Sequence, residues 1–270
     1  MKRIGIIGCG AIGSVIADAV DNGVINAELA GLYDIIVSKC RELAGKLVNS
    51  KPRVCDSIDC LLELKPDIVV EAASQEAVRE YVPKILDHGI EVVVLSVGAL
   101  LDENLLKTIE EKCREKKVNV YVPSGAIAGI DAIRALSSIG IKRVVLITRK
   151  NPRSISRDSL EKLGFSGEIK EPTVIYEGPA EEAVKKLPAN INVAATLKLA
   201  SKAPVIVRFI ADPSVGRNIH EIIVESSASK LHFIVENTPH PQNPKTSYLA
   251  ALSAVELLRR LTSKGIIIGS

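Results

Sequence analysis

The chain has 270 residues, 47% of them hydrophobic and 25% charged, with a net charge of +3. That length admits one large domain or two ordinary ones, each able to bury a core. The near-balanced charge excludes nucleic acid and an anionic membrane surface as expected partners.

The N-terminal apolar run, Lys2–Ile7, reads as a strand, and Gly8 to Gly13 punctuates it before a helix over Ala11–Val20. The glycines within the run, with Asp18 and Asp21 close behind, argue against a signal peptide or membrane span. A second strand covers Leu29–Tyr33 and ends at Asp34; a helix follows over Ser38–Leu47. Arg53–Cys55 is a short third strand, and Ser57 caps a helix through Leu64. Ile68–Val70 is a buried strand leading to a helix from Gln75 to His88, closed by Gly89. Glu91–Leu95 is the next strand, Asp102 caps a polar helix ending near Lys116, and Asn119–Val122 is one more strand. β-branched runs alternating with helices predict a parallel sheet covered on both faces.

The pattern changes after Pro123. A small-residue segment, Ser124–Gly129, precedes a helix over Asp131–Ser138. Strands are expected at Lys142–Thr148, Thr173–Tyr176, Val205–Ile210, Glu221–Glu225 and Leu231–Val235. The last two alternate apolar with polar residues, so this sheet is expected to be mixed or antiparallel with one solvated face. Helices are expected at Ala180–Lys186, Asn192–Ala200 and Lys245–Ser263, and Asn151–Asp158 reads as a mobile loop. The division is therefore residues 1–123 as one domain and 124–270 as a second α/β domain with a mixed sheet, the 245–263 helix packing back toward the first.

Gly8-Cys9-Gly10-Ala11-Ile12-Gly13 lies between a strand and a helix. In that context the spacing is the Rossmann phosphate cradle: Gly8 for the turn, Gly10 for close approach of a pyrophosphate, Gly13 for helix–strand packing. The helix N-terminus at Ala11 and Ile12 adds unpaired amides and a partial positive charge. Asp34, at the end of the second strand, suits the adenosine ribose hydroxyls and would repel a 2′-phosphate. NAD is the expected cofactor, with NADP as the second candidate because Lys39 and Arg41 lie just beyond. Ala72, Ala73, Ser96 and Val97 end the fourth and fifth strands with small groups, leaving room for ribose and nicotinamide.

Segments of the second half, 123–129, 190–197, 216–221 and 243–248, together with Glu71-Ala72-Ala73-Ser74-Gln75, resemble the L-aspartate dehydrogenase family. The resemblance spans nearly the whole chain. It implies oxidation of L-aspartate to iminoaspartate with NAD or NADP at the entry to NAD biosynthesis, in a cytoplasmic homodimer. It implies an acid/base at His220 and cofactor contacts at Ala126 and at one asparagine of the pair Asn190 and Asn192.

Removing hydride from an amino acid also requires moving a proton near neutral pH, which suits histidine. Of His88, His220, His232 and His240, only His220 follows a polar turn, Gly216-Arg217-Asn218, beside Glu221. Candidates for holding the substrate carboxylates are Ser124, Arg217, Lys245 and Thr246, with amide donors from helices expected after Ser124 and after Pro244. No spacing suggests a metal. The five cysteines, Cys9, Cys40, Cys55, Cys60 and Cys113, show no two-residue zinc or redox gap, so reduced thiols are expected. Two other functions share this layout: a dehydrogenase or imine reductase for another amino acid, and a dinucleotide sensor without turnover.

Overall fold

The computed structural model describes residues 1–187, 191–241, 243–266 and 268. It divides into two units, one holding Met1–Pro123 with Ala251–Ile268, the other Ser124–Ala250.

In the first unit, β1 (Lys2–Ile7), β2 (Ala27–Tyr33), β3 (Arg53–Cys55), β4 (Ile68–Glu71), β5 (Glu91–Val94) and β6 (Val120–Tyr121) form one parallel sheet ordered β3-β2-β1-β4-β5-β6. The order reverses between β1 and β4, and ligands of such sheets bind beyond the carboxyl ends at that switch point. The connecting helices are α1 (Ala11–Asp21), α2 (Val37–Lys46), α3 (Ile58–Glu63), α4 (Gln75–Asp87) and α5 (Glu103–Lys116). Two start where the sequence places caps, Ser57 Oγ accepting Cys60 N–H and Asp102 Oδ1 accepting two amides, and α4 adds a third, Ser74 Oγ accepting Ala77 N–H. A 3-10 turn over Val97–Leu101, not expected from sequence, follows β5. The core holds Ile4, Ile6, Ile16, Leu32, Val70 and Val93; Ala254 and Leu258 of the last helix, α10 (Tyr248–Thr262), are part of it. Among the described residues no helix is long and apolar enough to cross a membrane.

In the second unit the elements are α6 (Ile130–Ser137), β7 (Ile141–Lys150), α7 (Arg157–Lys162), β8 (Thr173–Pro179), α8 (Ala180–Lys186), α9 (Asn192–Ser201), β9 (Val205–Ala211), β10 (Asn218–Ser226) and β11 (Lys230–Asn237). The five strands form a mixed sheet ordered β11-β10-β7-β9-β8, with only β7 and β9 parallel. Residues alternate across it: Asn218, His220, Ile222 and Val224 are buried, while Ile219, Glu221 and Ile223 are less so. α9 packs on β7 and β9, and α6 packs on α9. Gly129, at the N-cap of α6 with φ +81°, lies against the Phe233 ring; a Cβ there would sit 2.3 Å from it.

Three expectations are corrected. The strand expected at Glu221 begins at Asn218, so His220 lies inside β10, paired with Thr148 of β7 and Val235 of β11. The helix expected from Lys245 begins at Tyr248; Asn243–Ser247 is instead a strand, β13, paired with β12 (Pro239–His240). Pro244 biases Asn243 toward extended backbone, and Tyr248 N–H bonds to Thr238 O at 3.0 Å, closing the two-stranded ribbon. Finally, Asn151–Asp158 holds regular structure where a loop was expected: Pro152–Ser154 is a 3-10 turn capped by Asn151, and Ser156 caps α7. Asn151 Nδ2 also donates to Pro213 O and Val215 O, both at 3.1 Å, tying the segment down.

Candidate active site

The turn after β1 requires its glycines. Gly8 has φ +95°, and a Cβ there would lie 2.5 Å from Ala72 O; one on Gly13 would lie 2.0 Å from Gly8 O. Gly10 differs: it is exposed, and its missing Cβ would meet no protein atom within 4 Å. The open side of Gly10 therefore faces room for a ligand. α1 begins there with no side chain capping its amides and no acidic residue in its first turn, which leaves its positive end to an anion. Asp34 is buried, its Oδ2 accepting Cys9 N–H and its Oδ1 accepting Ile36 N–H, both at 2.9 Å. It thus clamps the glycine turn to the end of β2, a role that sequence reasoning missed. Each oxygen retains a lone pair for a ribose hydroxyl. Cys9 Sγ donates to Cys40 Sγ at 2.9 Å; burial holds the Cys9 thiol well above its ordinary range, so it is a protonated packing group rather than a nucleophile. These residues fit a dinucleotide.

The neighbouring turns hang on one side chain. Glu71 ends β4 with no solvent exposure. Its Oε1 accepts Ala73 N–H at 2.8 Å, Ser74 N–H at 3.0 Å and Ser96 Oγ–H at 2.9 Å. Its Oε2 accepts Ser96 N–H at 3.0 Å and Leu95 N–H at 3.3 Å. Burial raises its carboxyl above the usual range, while these donors pull the other way. Glu71 therefore sets the backbone of Ala72–Ser74 and of Leu95–Ser96, where three sequence-assigned cofactor contacts lie, with the fourth, Val97, next in the chain. Ala72 is half-buried, Ala73 exposed, and Ser96 and Val97 buried.

In the second unit a polar group is buried on the helix-covered face of the sheet. Thr148, Lys150, Asn218, His220 and Asn237 are each at most 6% exposed. Thr148 and Lys150 share a face of β7, as Asn218 and His220 share one of β10. Thr148 Oγ1 and His220 Nδ1 are 3.0 Å apart. Burial, and then the nearby Lys150 charge, push His220 down to about 3. Burial also lowers Lys150, to about 8. The imidazole is therefore neutral at working pH. If Nδ1–H donates to Thr148, Nε2 is left with a free lone pair, the form a general base needs. Asn237 Nδ2 donates to Ala126 O at 3.0 Å, fixing the small-residue segment to β11.

The remaining sequence candidates separate. Arg217 is exposed and pairs with Glu236 at 3.9 Å; the buried cation beside His220 is Lys150, which sequence reasoning missed. Of the two helix starts expected to supply amides, α6 begins at Ile130, one residue from the expected Asp131, whereas Lys245 and Thr246 lie in β13 and not at a helix start. Thr246 Oγ1 accepts from Asn243 Nδ2 at 3.2 Å. Asn192 opens α9, while Asn190 and the Lys245 side chain lie outside the described residues. The other histidines have separate partners: His88 a backbone carbonyl, the exposed His232 the half-buried Glu221 at 2.8 Å, and His240 the Tyr248 ring. A cavity of about 830 Å³, lined by Lys2, Asp59, Lys65, Asp67 and Glu91, opens at the amino ends of the first sheet, opposite the cradle.

Residues 8–123 match the family model described as homoserine dehydrogenase, NAD binding domain, and residues 131–261 match that of aspartate dehydrogenase, C-terminal. The L-aspartate dehydrogenase of Methanosarcina barkeri is 49% identical, with 97% of this chain and 98% of the relative covered. The chain belongs to the L-aspartate dehydrogenase family. Its counterpart in Methanothermobacter thermautotrophicus is 46% identical over 100% of this chain and 99% of the relative. The crystal structure of aspartate dehydrogenase from Thermotoga maritima superposes with a TM-score of 0.76 at 30% identity, covering 100% of both chains. An amine dehydrogenase from Mycobacterium smegmatis, at 16% identity and a TM-score of 0.61, shares the fold. As a member of the aspartate dehydrogenase family the protein is an oxidoreductase that uses a nicotinamide dinucleotide.

Proposed function

We propose that the protein oxidises L-aspartate at Cα to iminoaspartate, which water converts to oxaloacetate and ammonia. The observation that carries this reading is the buried Thr148–His220–Lys150 group: a neutral imidazole oriented by a hydroxyl, with a cation beside it. The dinucleotide, when bound, supplies the acceptor for the hydride that leaves Cα. His220 Nε2 takes the proton that leaves the substrate nitrogen, and Thr148 Oγ1 holds the ring in the required tautomer. Lys150 attracts a substrate carboxylate, in preference to the exposed Arg217. A dianionic substrate next to His220 also raises its proton affinity as the reaction proceeds, offsetting the effect of the lysine.

Gly8, Gly10, Gly13 and the amides of Ala11 and Ile12 cradle the pyrophosphate, and Asp34 takes the ribose hydroxyls. An acidic group at that position favours NAD over NADP. Ala72, Ala73, Ser96 and Val97 flank the nicotinamide ribose, while Ala126 with Asn190 or Asn192 holds the carboxamide end. Ser124 and Thr246 complete the carboxylate contacts. The protein works as a cytoplasmic homodimer that supplies NAD biosynthesis.

Steady-state reduction of NAD and NADP across a panel of amino acids tests the reading, with L-aspartate and NAD expected to dominate. His220→Ala should lower kcat by roughly 10²–10⁴ with the Kd for NAD unchanged. Wild-type turnover in that variant would remove His220 from the chemistry.

A further inference from the structure

The Asn237 side chain is 3% exposed and half satisfied. Its Nδ2 donates to Ala126 O, and this bond fixes the amide orientation, since a flipped amide would set two oxygens against each other. Its Oδ1 is consequently a defined acceptor, and among the described residues that buried atom receives no hydrogen bond. Such an atom is destabilising unless a ligand fills its place. The missing partner must be an N–H or O–H donor.

The position says which donor. Asn237 pairs with Asn218 in the β10–β11 ladder, while His220 pairs with Val235 two residues earlier. Asn237 and His220 are thus diagonal neighbours on the buried face of two adjacent strands, about 7–8 Å apart at the backbone. From that separation both side chains can reach one small group. His220 needs, in the function proposed above, the nitrogen of the substrate. An amine or ammonium has more than one N–H: one proton goes to His220 while another remains to be held.

We propose that Asn237 is a substrate-contacting specificity residue whose Oδ1 accepts an N–H of the substrate's α-amino group. The assignment rests on the aspartate reading above. It accounts for an amide at this point of β11, where a hydrophobic residue would continue the buried face and satisfy the fold without leaving an oxygen bare. An aspartate would supply the acceptor but set a carboxylate against Ala126 O.

The test compares two ligands that differ only in the amino group. Binding of L-aspartate and of succinate is measured by calorimetry on the NADH-loaded enzyme, for wild type, Asn237→Ala and Asn237→Asp. Loss of an acceptor facing a charged donor should weaken aspartate by roughly 10–100-fold in Asn237→Ala, with succinate affinity unchanged. Asn237→Asp keeps an acceptor and gives up the bond to Ala126 O. It should keep aspartate favoured over succinate at least as strongly as in wild type, because the carboxylate faces an ammonium that succinate lacks, even where its thermal stability falls. Equal weakening of both ligands in Asn237→Ala, or no change in either, would overturn the proposal and leave Asn237 as a tie for the Ala126 segment. A fall in NADH affinity with an unchanged ligand ratio would also overturn it, by placing the cofactor carboxamide on Oδ1. If wild-type enzyme bound succinate but failed to turn over aspartate, the substrate reading itself would fall, independently of the variants.

Discussion

Replacing Glu71 with glutamine isolates the part of the cofactor site that depends on a single carboxylate. The side chains match in size, so packing is conserved and only hydrogen bonding changes. Glutamine offers one oxygen where glutamate offers two. If the new NH₂ stands at the Oε2 position, the Ser96 amide loses its acceptor, while Leu95 N–H keeps the backbone carbonyl of residue 71 at 3.0 Å; at the Oε1 position, the amides of Ala73 and Ser74 both lose theirs. The first arrangement is therefore the cheaper. One buried donor left unpaired costs about 1–3 kcal/mol, and removing a buried charge offsets part of that. A net loss of about 1–2 kcal/mol is expected, a measurable share of the ~5–15 kcal/mol by which a domain is stable. Urea unfolding should show a lower midpoint with an unchanged slope. Since the same amides hold the Ala72–Ala73 and Ser96–Val97 turns, the Kd for NAD should rise at temperatures where the variant is still folded. Ser96→Ala, which removes one hydroxyl donor and leaves the acceptors intact, should do much less. An unchanged midpoint and unchanged NAD affinity in Glu71→Gln would refute the view that this carboxylate sets the two turns.

Gly10→Val should fold with near wild-type stability and lose dinucleotide binding, because its side chain enters open space over the cradle; Gly13→Ala, aimed at Gly8 O, should instead lower the melting temperature. Calorimetric titration of NAD and a thermal melt separate the two. His220 makes stability depend on acid: its pKa falls from about 6.5 unfolded to about 3 folded, so between those values only the unfolded chain takes up the proton. That contribution is absent above the unfolded value and grows as pH falls, reaching about 3 kcal/mol of destabilisation near pH 4.5. His220→Gln should flatten the dependence in denaturant titrations at pH 7 and near pH 4.5; an unchanged pH dependence would show that the ring is not held neutral.

Much of the first unit was legible because its signals are local. The cradle glycines, the strand-ending Asp34 and the caps at Ser57 and Asp102 each act within a few residues of themselves. Asp34 shows the limit of that reading. Its place at the strand end marked it for a ribose, but its bonds to Cys9 and Ile36 depend on how two turns meet in space. Glu71 is harder still. It ends a run of aliphatic residues, and nothing local says that a buried carboxylate will collect five donors from two separate loops.

The second unit hides its chemistry in strand ends. Arg149-Lys150-Asn151 and Glu236-Asn237-Thr238 read as polar exits toward loops, and Asn218 reads as part of the turn before a strand. In the sheet these residues continue the alternation of β7, β10 and β11, so Thr148, Lys150, Asn218 and Asn237 fall on the same covered face as Leu146, Ile222 and Val235. Burial then changes what each group can do. A lysine in water is a simple cation; at 6% exposure beside His220 it lowers the proton affinity of the ring. An asparagine in a turn bonds to water; in β11 its oxygen is buried and only a donor can satisfy it. Register, which sets the face, is a property of three strands far apart in sequence. For that reason the histidine was recognisable from its family motif, while the residues that tune it and complete its site became visible only when the strands were paired.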